Sequence, residues 1–202
     1  MHNSLDFIDF IASIIDVSPF ERLAFESLLT KREFAKGDII HASELIHQDI
    51  YFIRNGSARG FYIDEKGRDI TWHFYFNRPQ AHPSNLYVID YRSYVTDQPS
   101  LLSFEALEPC TPYGISKSEL QKLYHIHAKW LRLHLKVVDI AYAFLHEKYF
   151  IQLTQSAYKR YKHLLETMPL IFDIAPQYHI ASYISVSPQH LSRLKNVSMN
   201  KC

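Results

Sequence analysis

Apolar and polar positions follow three successive regimes along the 202-residue chain. The first is helical. Ser18-Pro19-Phe20-Glu21 is a capping box with Pro at the first helical position, and Leu23, Leu28 and Leu29 follow on one apolar face. From Phe34 to about Ile115 the pattern becomes one of short strands separated by turn residues. Lys36-Gly37-Asp38 precedes Ile39-Ile40, and Asp49–Ile53 runs into Arg54-Asn55-Gly56, where Asn-Gly signals a tight turn. Ser57–Ile63 is predicted as the next strand and Asp64–Gly67 as a turn, with further strands at Ile70–Phe76 and Ser100–Leu107. Short strands at nearly regular spacing imply an antiparallel roll or jelly roll.

Helical periodicity returns at Ser116-Lys117-Ser118-Glu119, a second capping box, and a long helix is predicted over about 126–152. Leu131, Leu135, Val138, Tyr142, Leu145 and Tyr149 recur at alternating spacings of four and three, a coiled-coil-like seam. Leu133, Val137, Ile140, Phe144 and Ile151 form a second stripe on another face. One stripe can pack on the roll and leave the other for a partner helix, so the first six residues are expected to form a homodimer interface. The alternative is a helix buried on both sides within one chain. A further helix is predicted from Thr154, as its cap, to about Thr167, with Pro169 just past its end.

The last segment, Ala175–Asn196, carries two short helices around a tight turn. Ile180, Ala181 and Ile184 give the first an apolar face, Ser185-Val186 make the turn, and Ser187-Pro188 opens the second with a cap and an N-terminal proline. Leu191 and Leu194 then point inward, which leaves Gln189, His190, Ser192 and Arg193 outward. This is the economy of a helix-turn-helix, in which the first helix braces a second that enters the major groove of DNA. Ser187 and the free amides at the helix start can hold a phosphate. Arg193 can address a guanine edge and Gln189 an adenine. The alternative is a helical hairpin that ends a domain with a solvated polar face.

Charge supports the first reading. The whole chain is nearly neutral, at +1, but residues 151–202 hold six basic residues (Lys159, Arg160, Lys162, Arg193, Lys195, Lys201) against Glu166 and Asp173. Residues 1–150 carry 16 basic and 19 acidic residues, so a basic C-terminal part sits on a mildly acidic body. With 47% hydrophobic and 21% charged residues the chain is of ordinary globular composition, which excludes global disorder. No apolar run reaches membrane-spanning length, and the N-terminus lacks the pattern of a signal peptide, so a cytoplasmic protein without membrane contact is expected. Cys110 and Cys202 are too few for a disulfide framework or an iron–sulfur cluster.

Ile180–Lys195 resembles the helix-turn-helix of the Crp/Fnr family, the regulators related to the cyclic-AMP receptor protein. It is closest to a compact branch with an "IASYLGxSPxxLSR" type of segment. Phe34–Ile40 and Tyr51–Tyr62 resemble the first strands of that family's cyclic-nucleotide-binding-like roll. His146-Glu147, Leu153-Thr154, Tyr161 and Leu164-Leu165 resemble its junction between dimer helix and DNA-binding domain. The resemblance implies an α+β fold of three parts: a sensor β roll with flanking helices (1–125), a dimerisation helix (126–152) and a helix-turn-helix domain (153–202). It implies a dimer reading a roughly palindromic site on double-stranded DNA through Ser187, Pro188, Gln189, His190, Ser192, Arg193 and Lys195. Arg193 matches the family's base-contacting arginine most securely. Pro188 and Gln189 fall where better-known members have arginine and glutamate, which points to a different operator.

Only seven residues follow Lys195, so a minimal DNA-binding domain with little or no wing is expected. The sensor departs from the family pattern. Residues 77–100 hold no Gly-Glu pair for a ribose, and Arg92-Ser93, without the usual partners, reads as a solvated or salt-bridged arginine rather than a phosphate clamp. The effector, if one exists, is unidentified, and no cofactor is expected.

Twelve histidines raise the question of a metal. His125-x-His127 faces two directions on a helix, and nothing in residues 34–115 shows the His-x-His pattern of a cupin. Surface or hydrogen-bonded histidines, at His73 and His82 among others, are expected instead of a metal site. No glycine-rich phosphate loop or nucleophile elbow is present, so an enzyme is not expected. Two other possibilities stay open: a metal-dependent cupin-like enzyme with a helical tail, and a small-ligand-binding module without DNA recognition.

Overall fold

The computed structural model describes residues 7–78 and 81–199. Two N-terminal helices come first, α1 (Phe7–Ala12) and α2 (Pro19–Ser27). The α2 start is the expected capping box: Ser18 Oγ accepts from the Glu21 N–H at 3.3 Å, and the Glu21 carboxylate accepts from the Ser18 N–H at 2.9 Å.

Eight strands follow among the described residues. They are β1 (Thr30–Lys31), β2 (Ile39–His41), β3 (Asp49–Asn55), β4 (Ser57–Ile63), β5 (Asp69–Phe76), β6 (Tyr87–Val88), β7 (Ser103–Ala106) and β8 (Thr111–Ser116). All pairings are antiparallel, in two four-stranded sheets ordered β1-β8-β3-β6 and β2-β7-β4-β5. Alternate residues of both sheets, including Ile53, Ala58, Tyr75, Val88, Phe104 and Ala106, meet in one roll core. Gly56 makes the predicted turn between β3 and β4 at φ +85°. A Cβ there would press on the Pro109 carbonyl and lie 2.7 Å from Cys110 Cα, so only glycine fits. The strand expected over Ser100–Leu107 is confined to Ser103–Ala106; the Ser100 side chain is held by Asp90 and the Leu102 carbonyl, and its backbone bonds Glu44 and Leu45 outside the strand ladder.

A short helix α3 (Tyr91–Thr96) lies between β6 and β7. After the roll, α4 (Lys117–Ile126) starts on Ser116 Oγ, which accepts from the Glu119 N–H at 3.2 Å. The Glu119 carboxylate pairs with Lys122. The long helix expected from residue 126 is interrupted there. His127 takes an extended conformation, accepts from the Lys129 N–H through its ring, and starts a new helix, α5 (Ala128–Thr154), of 27 residues. Phe25 of α2 stacks on Trp130 of α5 at 5.2 Å, closing a small core against Ile115 and Leu123.

Four helices complete the described residues: α6 (Ala157–Thr167), α7 (Ile171–Ile174), α8 (Gln177–Tyr183) and α9 (Pro188–Met199). Thr154, the expected cap of α6, is the last residue of α5, and Ser156 caps α6 by accepting from the Lys159 N–H. Ser156, two residues further on, has the extended backbone that a cap requires, whereas Thr154 is still helical. These helices share one core with the roll: Phe74, Phe76 and Leu107 pack with Tyr161, Leu164, Ile171, Ile180, Leu191 and Leu194. Cys110 is a buried free thiol. Cys202 and Lys201 lie outside the described residues. No helix among the described residues is long and apolar enough to cross a membrane.

Candidate nucleic-acid interface

Helices α8 and α9 meet across a four-residue turn, residues 184–187, whose geometry follows from backbone hydrogen bonding. The Val186 N–H donates to the Ala181 carbonyl at 2.9 Å, and the Ser185 N–H to the Ser182 carbonyl at 3.0 Å. This pair closes α8 as a Schellman motif, with Ser185 at φ 53° in the left-handed position that usually takes glycine. Ser185 Oγ is held by the Gln152 side chain, which offsets part of that strain. The α9 start is capped by Ser187 Oγ, which accepts from the His190 N–H at 3.1 Å, with Pro188 in the first turn as expected.

Leu191 and Leu194 are buried against α8 and α6, and Val186 packs on the same core. Gln189, Ser192 and Arg193 are exposed on the opposite face, together with Asn196 one turn further on. Asn196 lies on the same i, i+3, i+4, i+7 stripe and was missed in the sequence, although the 3.6-residue period of the outward positions pointed to it. Pro188 is exposed and His190 half-buried. Lys195 is drawn off the stripe: its Nζ lies 5.3 Å over the Phe172 ring of α7. Ser187, Pro188, Gln189, Ser192 and Arg193 are thus brought onto one surface, with His190 at its edge and Lys195 beside it.

The basic residues counted in the C-terminal part divide into two kinds. Arg160 donates from Nε to the Ile184 carbonyl at 2.9 Å and from Nη1 to the Gln155 carbonyl at 2.7 Å, which pins the turn between α8 and α9 to the end of α5. Its charge therefore serves the fold. Lys159, Lys162 and Arg193 are exposed.

The brace helix α8 is bound to the roll along β5, which has a sheet neighbour, β4, on one edge only. On the other edge side chains take the place of a strand. The Thr71 N–H donates to Ser182 Oγ at 3.1 Å, Lys148 Nζ of α5 donates to the Trp72 carbonyl, and Asn85 Nδ2 donates to the Phe74 carbonyl at 2.8 Å. Lys148 also lies 4.5 Å from the Tyr183 ring centroid, so one side chain ties roll, long helix and α8 together. Burial lowers its pKa to about 7. Nearby, Arg59 is only 2% exposed and is gripped by Asp69, by Glu105 at 2.6 Å and by Thr71 Oγ1 at 3.2 Å. His179 of α8 stands 3.7 Å from Glu105, and burial with the Arg59 charge pushes its pKa down to about 4.

Arg92 is exposed and donates to the Pro99 carbonyl at 3.2 Å. His82 is exposed, accepting from the Ser84 N–H, whereas His73 is buried beside Asn85. Among the described residues, no group of three or more His, Cys, Asp or Glu side chains is placed to hold a metal ion.

A β roll joined through one long helix to a C-terminal helix-turn-helix is the architecture of the Crp/Fnr transcription regulators, and the chain has that fold. Solved structures with it include FixK2 from Bradyrhizobium japonicum, at 15% sequence identity and TM-score 0.66, with 86% of this chain and 85% of that one covered. A variant of CooA from Carboxydothermus hydrogenoformans matches at 10% identity and TM-score 0.67, over 100% of this chain and 87% of that one. A transcriptional regulator of the Crp/Fnr family from Eubacterium rectale matches at 12% identity and TM-score 0.66, over 92% and 85%. At these identities the likeness is one of fold. No protein-family model and no curated protein sequence matches the chain.

Proposed function

We propose that the protein is a cytoplasmic transcription regulator, and not an enzyme, that binds double-stranded DNA as a homodimer. The observation that carries this reading is the outward stripe of α9, where Gln189, Ser192 and Arg193 stand exposed on a helix braced by α8. A helix so presented can lie in the major groove with its N-terminal half against base edges. Arg193 would contact guanine and Gln189 adenine, while Ser187, Pro188 and His190 flank the phosphate backbone and Lys195 adds charge at the rim. Residues 1–125 would act as sensor, 126–152 as dimer helix and 153–202 as reader.

Dimerisation would use the seam of Leu131, Leu135, Val138, Tyr142, Leu145 and Tyr149. Leu131, Leu135, Tyr142 and Tyr149 are 43%, 54%, 69% and 51% exposed, an apolar row that a second α5 would cover. Two readers related by a two-fold axis select a site with matching symmetry. Selection of bound duplexes from a random pool tests this. The expected product is an inverted repeat with half-sites about 10 base pairs apart, whose binding weakens steeply with salt. Failure to enrich any sequence would overturn it.

A further inference from the structure

The C-terminal helices and the end of α5 are tied into one body. Arg160 of α6 donates to the Gln155 and Ile184 carbonyls, and the Gln152 side chain of α5 donates to Ser185 Oγ. Beside the apolar core shared with Phe74 and Phe76, this body meets the roll through polar side chains: Lys148 on α5, and His179 and Ser182 on α8. Ser182 is a neutral hydroxyl. The other two are bases, and each is sealed from water by the contact itself.

Among the described residues, no carboxylate lies at hydrogen-bond distance from either base. Lys148 Nζ donates to the Trp72 carbonyl and lies 4.9 Å and 4.5 Å from the Trp72 and Tyr183 ring centroids. Its chain neighbour Glu147 acts on His82 instead. The titratable group facing Lys148 from β5 is His73, kept neutral first by burial and then by Lys148 and His82, with the Ser84 backbone opposing. His179 stands 3.7 Å from Glu105, with Arg59 and Asp69 as the other charges near it and the Tyr178 ring against its own at 3.9 Å. Its Nδ1 has no hydrogen-bond partner among the described residues. A charge buried without a partner is costly, so both groups are driven toward their neutral forms. Burial brings Lys148 down to about 7, and burial with the Arg59 charge brings His179 down to about 4.

We propose that the contact between the roll and this body is a proton-operated latch, closed while Lys148 and His179 are sealed from water and opened as the medium turns acid. Released into water, the two groups regain ordinary basicity, near 10.4 for lysine and 6.5 for histidine, so opening takes up protons. The contribution of His179 to closure is complete above about pH 6.5 and lost as the pH falls toward 4. That of Lys148 is complete above about pH 10.4 and lost as the pH falls toward 7. The two windows adjoin, and opening therefore takes up about one proton throughout the range from about pH 9 to 5. His73 adds in the same direction where the opening reaches it. Any effect of the latch on DNA binding rests on the reading of the protein as a DNA-binding regulator; the latch itself does not.

The test is amide hydrogen exchange of the full chain, resolved by residue in NMR and normalised at each pH to an unstructured peptide. The Thr71 N–H donates to Ser182 Oγ across the contact, whereas the Ile53 N–H donates to the Leu86 carbonyl within the roll. The expected result is that Thr71 opens at least tenfold more often than Ile53 at every pH, the mark of a partial opening. Its opening constant should rise about five- to tenfold for each pH unit from about pH 8 to 5. Lys148→Met should flatten that rise above about pH 7, and His179→Phe should flatten it below about pH 6.5. If one variant does not fold, the other and the profile of the unaltered protein decide. Equal protection of Thr71 and Ile53, an opening constant that ignores pH, or a slope unchanged in both variants would each overturn the proposal. DNA affinity is measured on the same preparation: DNA binding with a flat exchange profile removes the latch alone, and the expected profile without DNA binding removes the regulator reading alone.

Discussion

The two faces of α5 are written in the same letters and have different surroundings. The seam from Leu131 to Tyr149 and the stripe from Leu133 to Phe144 are both apolar at helical spacing. Leu131, Leu135, Tyr142 and Tyr149 of the seam are exposed, while the stripe is half-buried toward the roll and shares with Val138, Tyr142 and Leu145 the lining of a cavity of about 490 Å³ between α5 and the roll. Neither is packed as a core helix would be, and that is the lesson of the comparison. A helix apolar on two sides, with a single buried residue, leaves apolar surface that a partner helix would cover.

Charging the outer face should give the largest effect. Leu131→Arg combined with Leu135→Arg should abolish dimerisation in analytical ultracentrifugation and weaken binding to an inverted repeat by about 100-fold, the loss of a tethered second reader. The melting temperature of the dilute monomer should barely move, because both leucines are already exposed. Truncating the inner face should do the reverse. Phe144 packs on His73 at 5.1 Å and His82 at 4.9 Å, so Phe144→Ala should cost about 2–3 kcal/mol in denaturant unfolding, below a fully buried phenylalanine. The association state should not change.

Acid should separate the faces as well. His73 and His179 are held neutral by burial, with pKa values below the ordinary imidazole range and, for His179, about 4. Their stability contribution is complete above about pH 6.5 and is lost as the pH falls toward 4, because the unfolded chain takes up protons that the folded chain refuses. His179 alone should account for about 2 kcal/mol after allowance for solvent screening, read as a falling melting temperature between those pH values. His179→Phe should flatten the curve. The smallest effect is expected at Tyr149, on the outer seam yet edge-on to Trp72 at 6.3 Å. Tyr149→Ala should cost the monomer about 0.5 kcal/mol, and more than that in the dimer.

The same contrast explains what was legible in the sequence. Turn chemistry and capping are local, so Asn55-Gly56, the Ser18 capping box and the Ser187-Pro188 helix start were readable, and Ser57–Ile63 was bounded correctly as a strand. Local patterning failed at the start of α6, where Ser156 caps in place of the expected Thr154, and where one extended residue, His127, splits a continuous helical pattern. Tertiary surroundings were not readable at all. Lys148 sits between Glu147 and Tyr149 like any surface lysine, yet its ammonium lies under Tyr183 and caps the open edge of β5. Arg160 was counted with the basic residues of the C-terminal part and instead holds the α8–α9 turn. Arg59, within a strand, gave no sign of being a buried hub. The cavity is a space between elements, and no residue pattern records a space.

The central claim is that the exposed face of α9 reads base pairs. The most direct measurement compares the unaltered protein with Arg193→Ala on a selected duplex and on a scrambled one, at one salt concentration. Arg193 is exposed and outside the core, so the fold should survive the change. The expected result is a loss of about 10- to 100-fold on the selected duplex with little change on the scrambled one. Equal loss on both duplexes, or no loss on either, would contradict it.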